Sequence, residues 1–160
     1  MHSDDAPQLL ALNNLAVPAV SELDEFALHA LLDHAHSTIA VVDDAEPGVV
    51  LGFTLTLIPG ADYQSENYRW FSARSNDFLY VDRIVVAERA RDRGIGGVLY
   101  AAIFEEARAA GAAEVFCEVN LEPPNPGSLR FHGRLGFVEV GQQATKGGEV
   151  VVSLLAARTR

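Results

Sequence analysis

Seven consecutive residues, Arg91-Asp92-Arg93-Gly94-Ile95-Gly96-Gly97, lie between an apolar run ending Ile84-Val85-Val86 and a helix expected over Val98–Ala110. Glycines let a backbone approach an anion closely, and the unpaired N–H groups of a helix N-terminus point at it. Flanking arginines add charge-assisted hydrogen bonds. The chemistry this pattern offers is the binding of a phosphorylated cofactor. An ordinary tight turn is the competing reading, and it leaves the arginines and the placement of all three glycines before a helix unaccounted for.

Three phosphate-binding patterns compete. A Walker loop requires Gly-Lys-Ser or Gly-Lys-Thr, and the single lysine, Lys146, lies in an unrelated loop. A dinucleotide fingerprint requires a third spaced glycine, and here Gly94, Gly96 and Gly97 are followed by Val98 and Leu99. The third pattern, Arg/Gln-x-x-Gly-x-Gly/Ala, is matched position by position by Arg91 to Gly96.

The elements that must hold this turn read as follows. Gln8–Leu12 is expected as a short first strand. Ser21 is expected to cap a helix running to about His34, with Glu22, Asp24 and Glu25 in its first turn. Thr38–Val42 and Val49–Ile58 form a hairpin around Asp43–Gly48. Residues 59–77 read as a long loop carrying Tyr63, Tyr68, Trp70 and Phe71. Phe78–Val86 is a strand, followed by the glycine turn and its helix, then a strand over Glu114–Val119. Asn125-Pro126 signals the start of a short helix, closed by Gly136. Phe137–Val140 and Val150–Leu154 are two last strands. The order β-α-β-β-β-α-β-α-β-β predicts an α/β fold, a mixed central β-sheet flanked by helices. The glycine turn then sits at the carboxyl end of a central strand, where α/β sheets bind ligands.

Length and composition are consistent with one domain over residues 1–160: 49% of the residues are hydrophobic and 21% charged. No apolar run approaches the ~18 residues of a membrane span. The start, Met1-His2-Ser3-Asp4-Asp5, lacks the basic residues of a secretory signal, and the one cysteine, Cys117, excludes an internal disulfide. A cytoplasmic location is expected. A net charge of −10 argues against nucleic acid as a partner. Residues 1–82 hold thirteen acidic residues against two arginines, whereas residues 83–160 hold nine acids and ten bases. That asymmetry fits an anionic cofactor at one end and a cationic substrate at the other, and it equally fits a generally acidic surface.

The Arg91–Gly96 pattern, with Asn125-x-x-Ser128-x-x-Phe131-His132-x-x-x-Gly136-Phe137 downstream, resembles the GNAT superfamily of N-acetyltransferases, and the resemblance covers roughly the whole chain. It implies acetyl-CoA, or another acyl-CoA, as co-substrate and no metal. It implies that the backbone of residues 93–97, with Arg91 and Asp92 leading into the turn, holds the pyrophosphate. Ile84, Val85 and Val86 would pair with the pantetheine arm like an added strand, and Asn125, Ser128 and Phe131 would line the arm and the nucleotide end.

Transfer to an amine requires a base, because alkyl amines have a pKa of about 10. The candidates are Asp82, Glu118 and Tyr80, and the resemblance, which implies a carboxylate on this strand or its neighbour, puts Asp82 first and Glu118 second. A salt bridge to Arg83 or Arg74 is the alternative role for Asp82. His132 stands where the family most often has a tyrosine acting as acid. It could protonate the leaving thiolate, or it could only pack and hydrogen-bond. Cys117 reads as core. His29, His34 and His36 read as surface residues without metal-ligand company. Tyr63, Tyr68 and Trp70, with Asp62, Glu66 and Asp77 nearby, could hold a cationic amine, or could cover a hydrophobic edge or a homodimer seam. Asn120 opens an insert, Asn120–Pro124, that is expected to shape the acceptor pocket. The expected function is acetyl transfer from acetyl-CoA to a primary amine of a small molecule or peptide. The alternative is a non-catalytic acyl-CoA-binding module.

Overall fold

The computed structural model describes residues 5–159; residues 1–4 and 160, including most of the acidic start, lie outside the described residues. The strands form a six-stranded sheet in the order β1-β2-β3-β4-β6-β5, comprising β1 (Ser37–Val42), β2 (Val50–Leu57), β3 (Phe78–Val86), β4 (Glu114–Glu122), β5 (Val138–Thr145) and β6 (Val150–Arg158). The β1–β2, β4–β6 and β5–β6 pairs are antiparallel, and β3–β4 is parallel. This is the mixed sheet with flanking helices expected from the sequence.

Three local expectations are corrected. The segment read as a first strand, Gln8–Leu12, lies in a helix, α1 (Ala6–Leu15). The apolar run Leu9-Leu10-Ala11-Leu12 is too short for its period to separate strand from buried helix. Ser21 does not cap the next helix. Asp24 does, accepting from Ala27 N at 2.7 Å, and α2 spans Glu25–His34. Residues 59–77 are not a loop throughout. Ser65 accepts from Tyr68 N and starts α3 (Glu66–Arg74). The polar surface of α3 hid its buried pair, Tyr68 and Phe71, three residues apart.

By its internal contacts the chain falls into two compact units, one formed by the described residues up to Leu57 with Val81–Glu105, the other by Ile58–Tyr80 with the described residues from Glu106 onward. In the first unit, Leu51, Ala87, Ala90, Ile95 and Leu99 form a core cluster, with Ile39, Val41, Ile84 and Val86 packed against it. The start of α4 (Ile95–Ala109) is therefore anchored by its own first residue. A polar knot sits in the same unit. Arg83 is buried, and it donates from Nη1 to Asn13 Oδ1 at 2.7 Å and from Nε to Asp82 Oδ2 at 2.8 Å. Asn13 in turn donates to Ser21 O, and Asn14 bonds both backbone groups of Leu23. These bonds satisfy a buried guanidinium and pin the connector from α1 to α2.

The second unit has an aromatic core. Phe71 of α3 stacks on Phe116 of β4 with centroids 4.5 Å apart, and Tyr68 meets Phe78 and Tyr80 edge-on. Asn125 caps α5 (Pro126–Arg134) by accepting from Ser128 N, and Gly136, at φ +88°, ends the turn that follows.

Candidate active site

The glycine turn follows a single helical turn at Glu88–Ala90 and leads directly into α4. Asp92 and Gly94 are left-handed, at φ +62° and +78°. Alternating backbone hands of this kind turn successive N–H groups toward one side and make an anion-binding concavity. α4 starts at Ile95, three residues before the sequence suggested. Ile95, Gly96 and Gly97 thus occupy its first turn, where N–H groups have no intrahelical acceptor. A Cβ built on Gly97 would meet nothing within 4 Å, so open space faces that position. Arg93 lies 3.9 Å from Asp43, a half-exposed pair worth little to stability. These features fit a pyrophosphate.

Ile84 and Val86 are half-buried on β3, and Val85 is buried. The β3–β4 ladder pairs Phe78 with Glu114, Leu79 with Val115 and Tyr80 with Phe116. The backbone expected to meet the pantetheine arm, Ile84–Val86, lies farther along β3.

The two carboxylates proposed as base have different surroundings. Asp82 is held by the Arg83 guanidinium, with both side chains about one-twentieth exposed. This is the salt bridge weighed as its alternative role. Glu118, on β4, is half-buried. Its two oxygens lie 2.9 and 2.8 Å from the Tyr80 hydroxyl, which donates to them. Sequence reasoning placed Tyr80 among the candidate bases, and in the structure its hydroxyl is a donor to Glu118.

His132 is buried on α5, with Nδ1 2.7 Å from Ser128 O and 3.3 Å from Ser128 Oγ. A carbonyl only accepts, so Nδ1 carries the proton and the neutral ring leaves Nε2 as an acceptor. Desolvation by burial pushes the His132 pKa below the ordinary imidazole value, opposed by the Ser128 hydrogen bond. Phe131 and Phe137 meet the ring edge-on. Ser128 thus bonds His132, and Asn125 spends its Oδ1 on the cap.

The aromatic residues expected at the acceptor divide. Tyr68 is buried, donating to Ile58 O at 2.7 Å and accepting from Ala61 N at 3.0 Å. Trp70 packs on Gly141 of β5, where an added Cβ would come within 2.7 Å of its ring. That is the covering of a sheet edge. Tyr63 stands edge-on to Tyr68 and, with Asp62, Gln64 and Arg69, borders a shallow hollow over Gly60–Gln64 and α3. Asp77 accepts from Ala113 N. Asn120 pairs with Val152 in the β4–β6 ladder, and its carbonyl accepts from Asn125 N at 3.2 Å, which closes the insert. Cys117 is buried, as read. Sequence reasoning missed the Asn13–Asn14 knot. The available signal was two asparagines in an otherwise apolar helical stretch, where their propensity is poor.

No protein of curated function matches this sequence. The fold is similar to the ribosomal-protein-S18-alanine N-acetyltransferase from Escherichia coli (15% identity, covering 99% of this chain and 90% of that one, TM-score 0.74). It is also similar to Ard1 from Thermoplasma volcanium (16%, 99% and 93%, TM-score 0.78). A third similar structure is the ribosomal-protein-alanine N-acetyltransferase from Brucella melitensis (23%, 99% and 96%, TM-score 0.73). Among the described residues no helix is long and apolar enough to cross a membrane. The family model of the acetyltransferase (GNAT) family matches residues 7–137, and the chain belongs to that family.

Proposed function

We propose that this chain, as a single acyl-CoA N-acyltransferase domain, transfers the acetyl group of acetyl-CoA to a primary amine of a small molecule or peptide. The left-handed turn at Asp92–Gly94 and the first N–H groups of α4 receive the pyrophosphate, and the backbone of Ile84–Val86 receives the pantetheine arm. The amine nitrogen bonds to the acetyl carbonyl carbon, the carbon–sulfur bond breaks, and CoA leaves as the thiol once protonated. Glu118 takes the amine proton, directly or through water. The observation that carries this catalytic reading is the partly exposed Glu118 carboxylate held by Tyr80. Asp82 is committed to Arg83 and serves the fold.

His132 contributes packing rather than acid catalysis in this reading. Its Nδ1 proton is spent on Ser128 O, and burial disfavours the imidazolium that could donate from Nε2. A cationic acceptor is supported by charge, since no lysine or arginine precedes Arg69.

The test joins binding to turnover. Acetyl-CoA at about a hundred times its Kd should stabilise the native state by ~2.7 kcal/mol, roughly 5–10 °C in Tm for a domain of this size. The Cβ of Gly97→Val enters open space, and the change should remove that shift while leaving the unliganded Tm within about 2 °C. With a panel of amines, amino acids and peptides, free thiol should be released, and Glu118→Gln should slow release by ~10²-fold or more. A Tm shift without thiol release from any acceptor would establish the non-catalytic binding module instead.

A further inference from the structure

Tyr80 is fully buried, with its ring edge-on to Tyr68 at 5.5 Å and tilted against Phe71 at 5.8 Å. The parallel register sets Tyr80 opposite Phe116, so Glu118 follows two residues on, on the same face of β4. A tyrosine is long enough to reach that diagonal neighbour, and its hydroxyl stands 2.9 and 2.8 Å from the two carboxylate oxygens. A free glutamate samples many rotamers, and ordering it costs free energy at the moment of reaction. A donor fixed in an aromatic core supplies that order in advance.

We infer that Tyr80 is a positioning residue for the transfer step: its buried hydroxyl fixes the Glu118 carboxylate in one orientation and favours its ionised, proton-accepting form. The inference rests on Glu118 being the base. Hydrogen bonds to a carboxylate favour its charged state. Other residues flank Glu118 on the elements packed around it. On β6, Leu154 lies opposite Glu118, with Ala156 and Val152 opposite Phe116 and Asn120. On α3 the charged residues Glu66, Arg69 and Arg74 are exposed. On α5, His132 bonds Ser128, and Arg130 and Arg134 are exposed. β4 itself carries Glu114 and Glu122, and on β3 Asp82 is tied to Arg83.

The test is the pH profile of kcat/KM for acetyl transfer. Tyr80→Phe keeps the ring and its packing and removes only the hydroxyl. The acid limb should move to higher pH, so that kcat/KM falls about tenfold near pH 6 and less than threefold near pH 9. Tyr68→Phe, which loses a buried hydroxyl that does not touch Glu118, should leave the profile in place. Glu118→Asp guards against a fold defect in the core variant. Its carboxylate falls a methylene short of Tyr80, so the limb should again move to higher pH, although aspartate is intrinsically the stronger acid. A Tyr80→Phe profile superimposable on that of the unaltered protein, or a limb moved to lower pH in Glu118→Asp, overturns the positioning role while Glu118→Gln remains inactive. If Glu118→Gln keeps full activity, the assignment of the base falls first and this inference falls with it.

Discussion

Gly52→Ala tests whether a close approach of backbones holds the glycine turn in place. Gly52 lies in β2, and a Cβ added there would stand 2.8 Å from the carbonyl oxygen of Val85, 3.1 Å from Ile95 Cγ2 and 3.4 Å from Leu99 Cδ1. The first of these atoms is backbone of the strand bonded to β2, where Ala87 N donates to Leu51 O at 2.8 Å. It cannot rotate away. Relief requires β2 and β3 to separate by about half an ångström, or α4 to lift off its own Ile95 and Leu99. Overpacking of this kind costs about 1–3 kcal/mol, against a gain of ~0.5–1 kcal/mol from the stiffer unfolded chain. The net expectation is a loss of about 1–2 kcal/mol, or roughly 3–6 °C in Tm. Because Ile95 opens α4 and Val85 belongs to the expected pantetheine edge, the acetyl-CoA-induced rise in Tm should shrink as well. Thermal and urea melts with and without acetyl-CoA measure both effects. Gly141→Ala is the comparison: its Cβ would stand 2.7 Å from Trp70 Cζ2, a side-chain atom, and Trp70→Ala should restore most of what that change loses. A Gly52→Ala protein as stable as the original, with an unchanged response to acetyl-CoA, would refute the reasoning.

Two more outcomes follow from buried polar groups. Asn13→Ala removes the acceptor of a buried Arg83 N–H and the donor to Ser21 O, so chemical denaturation should report a loss of about 2–4 kcal/mol. His132 has its folded-state pKa lowered by burial, so the unfolded chain binds a proton that the native chain resists. Native stability should therefore decline as pH falls through and below the ordinary imidazole range. In His132→Gln that part of the pH dependence should be absent from urea melts taken between pH 7.5 and 5.

The residues with the most restricted local chemistry were legible in the sequence. The strand Phe78–Val86 has the bounds expected of it. Asn125-Pro126 starts α5 as a cap followed by proline at the first turn, because cap geometry depends on a few adjacent residues. Gly94 adopts the positive φ that a glycine permits. The elements read wrongly were those whose identity is settled by burial. Gln8–Leu12 reads apolar in either period, and α3 shows few apolar residues although Tyr68 and Phe71 anchor it in the core.

The sequence by itself determined the mixed α/β sheet, the glycine turn between β3 and α4, and the family whose motifs flank it. These are properties of short stretches of chain, governed by φ preference, hydrogen-bond supply at helix ends and hydrophobic period. Which partner each candidate carboxylate takes was decided only by tertiary structure. Asp82 and Glu118 are equivalent as letters on neighbouring strands. Packing places a guanidinium against Asp82 and a buried phenol against Glu118, and those partners lie far apart along the chain in the second case and adjacent in the first. The same holds for Tyr68 and Trp70, two aromatics in one polar stretch: the fold buries Tyr68 in the core and sets half-buried Trp70 against Gly141. An aromatic ring gains more from removing its area from water than a local pattern can show, so its role is fixed by what the fold sets against it.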